Sequence, residues 1–296
     1  MKAAFSLTLL LALFACNNQS KITEEYRSSV EDWKTARLKA LVGENGYVNL
    51  AGLFWLENDT TTFGASDDNT IKFPSGKGPD FLGSFVLKND SVWIISNENS
   101  GVEMNGHPLT NESLAYSEDM ENPIEFSLGS LIWIVIKRGD QFGVRLRDLE
   151  HPNLSNMDAI EFYPLDAAYK VIADYEPYDP PKMMKTTNVL GQTYDAKIPG
   201  FLTFELKGKS YRIEPNIDEG QLHIRFRDET TGEETYGLGR YLKAEMPSTK
   251  AKVVVDFNKA YNPPCAFTEF ATCPLPPKEN TIDFKVEAGE RVYGEH

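Results

Sequence analysis

Hydrophobic and polar positions follow a helical period only near the start of the chain. Between positions 26 and 41, apolar residues recur at spacings of three and four, as on one face of an amphipathic helix. Thr23 suits the N-cap of this helix, and Gly43 and Gly46 lie where it should end. The apolar face comprises Tyr26, Val30, Trp33, Arg37 through its alkyl stem, Leu38 and Leu41. The pattern predicts one N-terminal amphipathic helix.

After residue 46 the helical period fades, and short alternating or apolar runs take its place. Polar links containing glycine or asparagine separate several runs, as in antiparallel hairpins. These links are Lys88-Asn89-Asp90-Ser91, Asn105-Gly106 and Arg138-Gly139-Asp140. We predict strands within residues 47–56, 70–73, 84–87, 92–96, 102–104, 131–137, 142–147, 201–206, 211–214, 222–226, 252–257 and 282–286. The fold class expected is mainly β, with two β-sandwich or barrel-like domains.

A shift of composition near Tyr163-Pro164 divides the β-rich region into an N-terminal domain, residues 47–165, and a C-terminal domain, residues 166–296. Pro177, Pro180 and Pro181 follow the shift and indicate a boundary or a long crossing loop. Five further prolines lie within residues 262–277. Since proline removes a donor from a strand ladder, this second stretch is predicted to be a rigid loop over the body.

The first 16 residues are typical of a lipoprotein export sequence. Lys2 precedes an apolar run at residues 3–13, which is too short for a helix that spans the roughly 30 Å hydrocarbon layer of a membrane. Leu13-Phe14-Ala15-Cys16 resembles a lipobox, although Phe14 is bulky for its place. We expect residues 1–15 to be a signal peptide and Cys16 to carry diacylglycerol and an acyl chain such as palmitate. The alternative is an ordinary secretory signal that leaves a free cysteine.

Residues 16–46 would then hold the lipidated Cys16, a polar tether and the helix. The expected location is the cell envelope, in the periplasm or otherwise outside the cytoplasm, with the membrane contacted through the lipid. The formal charge of the chain is −14, and the mature chain loses Lys2 to reach −15. Such a surface repels phosphate backbones, so nucleic acid and direct docking on anionic headgroups are unexpected partners. The acidity serves mainly solubility.

The two cysteines that remain after lipidation form an even pair in a compartment that permits oxidation. A disulfide between Cys265 and Cys273 is therefore the default prediction. A metal site and a catalytic thiol are the alternatives. No Cys-x-x-Cys is present and the histidines are scattered singly, so no metal ligands are assigned.

Acids, amides and one guanidinium concentrate at predicted turns and strand ends of the C-terminal domain. Glu234 and Asp256 are candidate catalytic carboxylates, and Arg240 is a candidate clamp for an anionic group. The candidate binding residues are Asp228, Tyr236, Asn258, Tyr261 and Asn262. The structural alternative is that Arg240 pairs with a neighbouring acid to pin a loop, and that the asparagines bond their own backbone.

The sequence lacks the common catalytic motifs, including G-x-S-x-G, the Walker loop, G-x-G-x-x-G and H-E-x-x-H. Nucleotide and flavin cofactors are therefore not expected. A calcium site of dispersed carboxylates leaves no sequence pattern and stays open.

Two family resemblances are present. Residues 60–109 resemble forkhead-associated domains, β-sandwiches that bind phosphothreonine, at Thr62-Phe63-Gly64, Thr70-Ile71-Lys72-Phe73, Gly83-Ser84-Phe85 and Val102-Glu103-Met104-Asn105-Gly106. That family's phosphate-binding Arg is replaced here by Ala65, and its Ser-x-x-His does not occur, so the resemblance implies a fold and not a function.

The second resemblance carries rarer motifs. It rests on residues 228–236, Gly239-Arg240-Tyr241, the sequence DFNKAYNPPCAFT from Asp256, CPLPP from Cys273, Glu279-Asn280 and Ala288-Gly289-Glu290. These resemble an uncharacterised bacterial family, domain of unknown function 1684, over most of the mature chain. The resemblance implies a recurrent exported or anchored protein and no reaction.

Two functions from different classes follow. The first is a membrane-anchored binding or scaffold lipoprotein for a glycan, peptide, small molecule or protein. The alternative is a hydrolase that uses Glu234 and Asp256, with Arg240 as substrate clamp.

Overall fold

A computed structural model describes residues 22–97 and 99–294. The predicted signal peptide and the lipidation site Cys16 lie outside the described residues. Helix α1 spans Glu24–Val42, and the side chain of its N-cap Thr23 accepts a hydrogen bond from the backbone N–H of Tyr26. The predicted N-terminal helix is confirmed. One position of its apolar face is wrong, because the Leu38 side chain is 48% exposed.

Eleven strands and a short helix make up the first half of the body. They are β1 (Leu50–Trp55), β2 (Thr60–Gly64), β3 (Ile71–Lys72), β4 (Gly83–Lys88), β5 (Ser91–Ser96), β6 (Glu103–Met104), β7 (His107–Pro108), β8 (Glu112–Tyr116), β9 (Glu125–Leu128), β10 (Leu131–Arg138), β11 (Gln141–Asp148) and helix α2 (Asn153–Asn156). One sheet has the order β1-β11-β10-β9-β6-β7, and the other has the order β3-β2-β4-β5-β8. A core built around Trp133, Phe63, Phe85 and Phe126 packs residues of both sheets together.

The predicted polar links are hairpin turns. Lys88 pairs with Ser91 across Asn89 and Asp90, and both asparagine and aspartate have positive φ angles of 44° and 58°. Two positive φ angles in a two-residue link are the conformation whose twist matches antiparallel strands. The strand content confirms the mainly β fold class, and the turn at Asn89 and Asp90 confirms the predicted polar link between two of the strands.

Seven strands make up the second half. They are β12 (Lys170–Thr187), β13 (Thr193–Leu206), β14 (Lys209–Ile213), β15 (Asn216–Asp218), β16 (Gln221–Phe226), β17 (Arg240–Ala244) and β18 (Ala251–Asp256). They form a sheet of order β14-β13-β12-β18 and a sheet of order β15-β16-β17. Their core centres on Tyr175, Phe204, Phe226 and Phe257 and is distinct from the first core.

The first proline-rich segment is neither a boundary nor a crossing loop. Strand β12 runs through Pro177, Pro180 and Pro181, and its pairing with β13 is interrupted between Pro177 and Lys182. The strand tolerates these prolines because the ladder bulges where they would have had to donate.

Two other expectations have opposite outcomes. The strand predicted within residues 282–286 is wrong, because Ile282 and Val286 are buried in irregular chain between short helices and bridges. The loop predicted at residues 262–277 is confirmed, with one turn of 3₁₀ helix at Pro264–Ala266 as its regular element. The loop lies against both halves, since Thr272 contacts Arg138 at the end of β10 and Leu275 donates to Thr187 at the end of β12.

Helix α1 is fixed to the second half through side chains. Tyr26 Oη donates to Asp256 Oδ1 at 2.8 Å, and Arg37 Nε donates to Glu290 Oε1 at 3.0 Å. Together with the loop at 262–277, the helix leaves a concave surface between the two halves. Within the described residues, no helix has the length and apolar content needed to cross a membrane.

Candidate functional site

The three candidate catalytic residues each have partners of their own, and in the part of the chain that the structure describes no hydrogen bond or ion pair joins one to another. Glu234 is the most exposed, with 29% of its side chain accessible. It accepts from Lys285 Nζ at 2.7 Å and from Tyr163 Oη at 3.0 Å. These hydrogen bonds, that of Lys285 foremost, hold the pKa of the Glu234 carboxyl below its usual value. A low pKa suits a structural carboxylate better than a general base near neutral pH.

Arg240 is fully buried and holds a loop together. Its Nη2 forms an ion pair with Asp228 Oδ2 at 3.2 Å and donates to the Val286 carbonyl at 2.8 Å, while Nη1 donates to the Ala288 carbonyl. Burial lowers the pKa of the guanidinium, and the Asp228 charge opposes that shift. Asp228 is saturated in turn by Thr230 and by the backbone N–H of Val286. The pair corresponds to the structural alternative, a pinned loop.

Asp256 and Asn258 form a second cluster of hydrogen-bonded side chains, at the start of α1. Asp256 Oδ1 accepts from Tyr26 Oη, from the backbone N–H of Asn258 at 3.2 Å and from Asn258 Nδ2 at 3.1 Å. Asn258 Nδ2 also donates to the Asp166 carbonyl at 2.9 Å. Asp256 borders a small cavity of about 460 Å³ beside β18. The amide and carboxylate tie α1 to the second half.

The other candidate binding residues divide between structure and surface. Asn262 Nδ2 donates to the Arg291 carbonyl at 2.7 Å, and Tyr236 Oη donates to the Cys265 carbonyl at 3.1 Å. Tyr261 lines a large open cleft and lies 3.4 Å from His223 Nε2 through its hydroxyl. Tyr261 is therefore the member of the predicted set that reaches this cleft.

The cleft has a volume of about 940 Å³, within the range of small-molecule sites. Its walls come from α1, from the ends of β10 and β11, from β13, from the sheet β15-β16-β17 and from the loop at 262–277. The lining residues are Trp33, Ala36, Arg37, Ala40, Gly43, Asn45, Tyr47, Arg138, Arg145, Tyr194, Asn216, Asp218, Glu219, Gln221, His223, Tyr241, Lys243, Lys259, Tyr261, Pro264, Ala271, Thr272, Cys273 and Pro274.

One end of the cleft is positively charged, and we call Arg138, Arg145 and Thr272 the arginine pole. Arg138 Nε and Arg145 Nη2 both donate to Thr272 Oγ1, at 3.1 and 3.4 Å. Arg145 is only 8% exposed, and among the described residues its Nε has no hydrogen-bond partner and no carboxylate lies within 4 Å of its guanidinium. Burial, followed by the nearby Arg138 charge, lowers the pKa of Arg145 to about 10. The group is therefore charged at neutral pH and lacks a counter-ion.

Another part of the lining has one lysine facing two carboxylates. Lys243 Nζ binds Asp218 at 3.1 Å and Glu219 at 2.7 Å. In the same lining, the ring of His223 packs edge-on against Tyr241 with centroids 4.7 Å apart. Burial lowers the pKa of His223 to about 4, so the imidazole is neutral at pH 7. His223 and Tyr241 thus give the cleft wall an uncharged aromatic surface.

Cys265 and Cys273 are both free thiols, and the predicted disulfide is not formed in this structure. The two residues nevertheless touch, since the backbone N–H of Cys265 donates to Cys273 Sγ at 3.1 Å. The hydrogen bond from the Cys273 thiol lowers the pKa of Cys265. Cys273 lies on the cleft wall directly after Thr272.

Sequence reasoning missed the arginine pole. Alternation in β11 places Val144 and Leu146 in the first core, which directs Arg145 and Arg147 to the opposite face of the sheet. An arginine on such a face is normally solvent-exposed. The helix end and the loop at 262–277 cover this face, which the sequence pattern does not reveal. The available hint was a strand with two arginines between apolar residues and no acid to pair with them until Asp148.

Across residues 22–97 and 99–294, no three His, Cys, Asp or Glu side chains are grouped to hold an ion.

Comparisons with known proteins give a family for part of the chain. Residues 155–291 match the model described as a protein of unknown function, DUF1684. The solution NMR structure of an uncharacterized protein of Haloarcula marismortui is 31% identical, over 48% of this chain and 80% of that one, with a TM-score of 0.40. No curated protein matches the chain. The resemblance expected over most of the mature chain is therefore shown for its second half, and residues 155–291 belong to the DUF1684 family of unknown function.

Proposed function

We propose that this protein is a lipid-anchored binding protein of the bacterial cell envelope, and that it holds a small molecule, or the end of a glycan or peptide, in the large cleft. The observation that carries the proposal is the cleft itself. It offers about 940 Å³, bounded by aromatic rings and by polar side chains that converge from separate elements. The hydrolase alternative lacks such support, because Glu234, Arg240 and Asp256 are engaged in separate contacts.

The proposed anchor would keep the cleft near the membrane. Seven residues separate Cys16 from the start of α1 at Glu24, and an extended chain of that length spans at most roughly 25 Å. Helix α1 also contributes Trp33, Ala36 and Ala40 to the cleft wall. An acyl group on Cys16 would therefore tether the element that forms part of the site. Replacing Cys16 by Ser should release the protein from the membrane fraction, and retention of an unacylated protein there would contradict the anchor.

We also propose that Cys265 and Cys273 pair in the oxidising envelope. The proposal is supported by their contact and by the short loop that a bond would close. Peptide mass analysis of unreduced protein from the envelope should yield a linked pair. Two thiols that alkylate fully without reductant would refute it.

Binding in the cleft can be tested by filling it. Ala36 and Ala40 are exposed on α1 and line the cleft, so Ala36→Trp should occupy the space without disturbing a core. Ser28→Trp is the matched control, because Ser28 is exposed on the same helix away from the lining. The test measures ligand-induced thermal stabilisation of the full chain with sugars, sugar acids, amino acids, short peptides and organic acids.

At least one of these classes should stabilise the native protein and the Ser28→Trp variant, and should lose its effect on Ala36→Trp. A ligand that stabilises all three proteins equally binds elsewhere and contradicts the proposal. Trp33 gives an independent optical readout, because its indole lies on the cleft wall.

A further inference from the structure

The chemistry of the cleft narrows the class of ligand. Buried arginines are normally paired with carboxylates, because an isolated buried charge is strongly destabilising. Arg145 has no such partner among the described residues, although the chain carries 44 acidic residues against 30 basic ones. The buried Arg147 and Arg225 also have no ion pair there, but both donate to backbone carbonyls, whereas Arg145 donates to Thr272 Oγ1 and its Nε has no acceptor. An uncompensated buried guanidinium in an acidic protein is expected where a ligand supplies the negative charge.

The geometry of the arginine pole suits a planar anion. Arg138 and Arg145 share Thr272 Oγ1 as an acceptor, which brings their guanidinium groups to the same oxygen. The planar fork of donors on arginine matches the two oxygens of a carboxylate. Tyr47 and Tyr194 line the same cleft, and among the described residues neither hydroxyl has a hydrogen-bond partner. The pole therefore has spare donors from both charged and neutral groups.

A residue of the cleft lining also has a buried polar atom without a partner, and this atom is a hydrogen-bond acceptor and not a donor. Asn216 Oδ1 is buried and has no hydrogen-bond partner within the part of the chain that the structure describes. A buried amide oxygen without a donor is destabilising, because it has lost its hydrogen bonds to water. It would be satisfied by a ligand hydroxyl. His223, which pairs with Asn216 across β15 and β16, and Tyr241 line the same cleft and provide an uncharged surface for the body of a ligand.

We propose that the cleft binds a hydroxylated organic acid, with its carboxylate held by Arg138 and Arg145 and a hydroxyl donating to Asn216. The inference rests on the proposed function and adds the ligand class. A sugar acid has the required groups, namely one carboxylate, several hydroxyls and an uncharged carbon skeleton. A neutral sugar lacks the charge that Arg145 requires, and acetate lacks the hydroxyl that Asn216 requires.

The test is calorimetric titration of the full chain, purified in detergent, with glucuronate, galacturonate and gluconate. Three control ligands each lack one feature of these acids. Glucose has no charge, acetate has no hydroxyl, and inorganic phosphate is a tetrahedral anion and not a planar one. At least one hydroxylated acid should bind ten times more tightly than each of these three. If none of the three acids binds at about 10 mM, or if glucose or phosphate binds as tightly as the acids, the inference is overturned.

Variants then locate the carboxylate. Losing a hydrogen bond to a charged group costs about 1.5–3 kcal/mol, which corresponds to roughly 10- to 100-fold in affinity. Arg145→Met should weaken binding of the acid by that factor, and Arg145→Lys should restore part of it. Because Arg145 is buried, Arg138→Met at the more accessible end of β10 provides a second test that does not depend on folding of the first variant. Unchanged affinity in Arg138→Met and in a folded Arg145→Met refutes the site.

The outcomes separate the inference from the function on which it rests. If neutral sugars or peptides bind and the Ala36→Trp variant abolishes their binding, the cleft is a binding site and the acid class is wrong. If acids bind but the Ala36→Trp variant binds them equally, both the ligand site and the proposed function fail.

Discussion

The assignment of Arg240 as a structural residue predicts a large loss of stability in Arg240→Met. The substitution leaves Asp228 buried without its cation and removes the donors of the Val286 and Ala288 carbonyls. Breaking a buried ion pair on one side costs roughly 3–5 kcal/mol, because the remaining charge stays desolvated. Thr230 and the backbone N–H of Val286 still bind Asp228, which favours the lower part of this range.

The loss can be measured by denaturant unfolding, with thermal unfolding in parallel. A change of about 3 kcal/mol corresponds to a fall of roughly 6–12 °C in Tm for a chain of this size. Arg27→Met is the control, because Arg27 is half exposed on α1 and its ion pair with Glu24 spans 3.9 Å. That variant should lose less than about 1 kcal/mol.

A substrate clamp at Arg240 would behave differently. It would be accessible, and its replacement by methionine would reduce ligand affinity while leaving the free energy of unfolding within about 1 kcal/mol of the native value. That result would refute the structural reasoning.

Three further predictions concern single residues. The pKa of His223 falls from 6.5 to about 4 on folding, so the unfolded chain binds more protons between these pH values, and the free energy of unfolding should drop by roughly 3 kcal/mol as the pH falls from 6.5 to 4. Denaturant unfolding of His223→Gln across the same pH range should show a flatter dependence on pH. An equally steep dependence would contradict this prediction. Tyr26→Phe removes the hydroxyl shared by Asp256 and Asn258, so the free energy of unfolding should fall by about 1–2 kcal/mol and amide hydrogen exchange in α1 should become faster. Unchanged protection of the α1 amides would show that these hydrogen bonds do not hold the helix in place. Glu234→Gln should lower the free energy of unfolding by less than about 1 kcal/mol and leave ligand binding intact, because Lys285 and Tyr163 hold Glu234 at the surface and outside the cleft lining. A tenfold loss of ligand affinity would show that Glu234 belongs to the site.

Local chemistry predicted much of the fold. The Thr23 cap and the Asn89-Asp90 turn were readable because each depends on neighbours in sequence. The prolines of β12 were misread because a bulge, which depends on the pairing with β13, accommodates them. The buried chain at 282–286 has the apolar residues of a strand, yet it packs without a ladder partner of its own.

The candidate site was less readable for the same reason. Asp228 and Arg240 are polar and close in sequence, which made them attractive as chemistry, but burial turns them into a structural pair. Arg145 and Thr272 are 127 positions apart, and nothing local to either indicates that they meet. That Arg145 has neither a carboxylate nor a backbone carbonyl as a partner becomes known only when all its neighbours are placed.

We propose that this protein binds its ligand in the cleft between α1, the first sheet and the loop at 262–277. The most direct measurement is a crystal structure of the full chain extracted from its own membranes, together with a crystal grown with the tightest-binding hydroxylated acid. We predict ligand density in the cleft, with a carboxylate within hydrogen-bond distance of Arg138 and Arg145. Density for the acid at another surface, with water alone beside Arg145, would contradict the account.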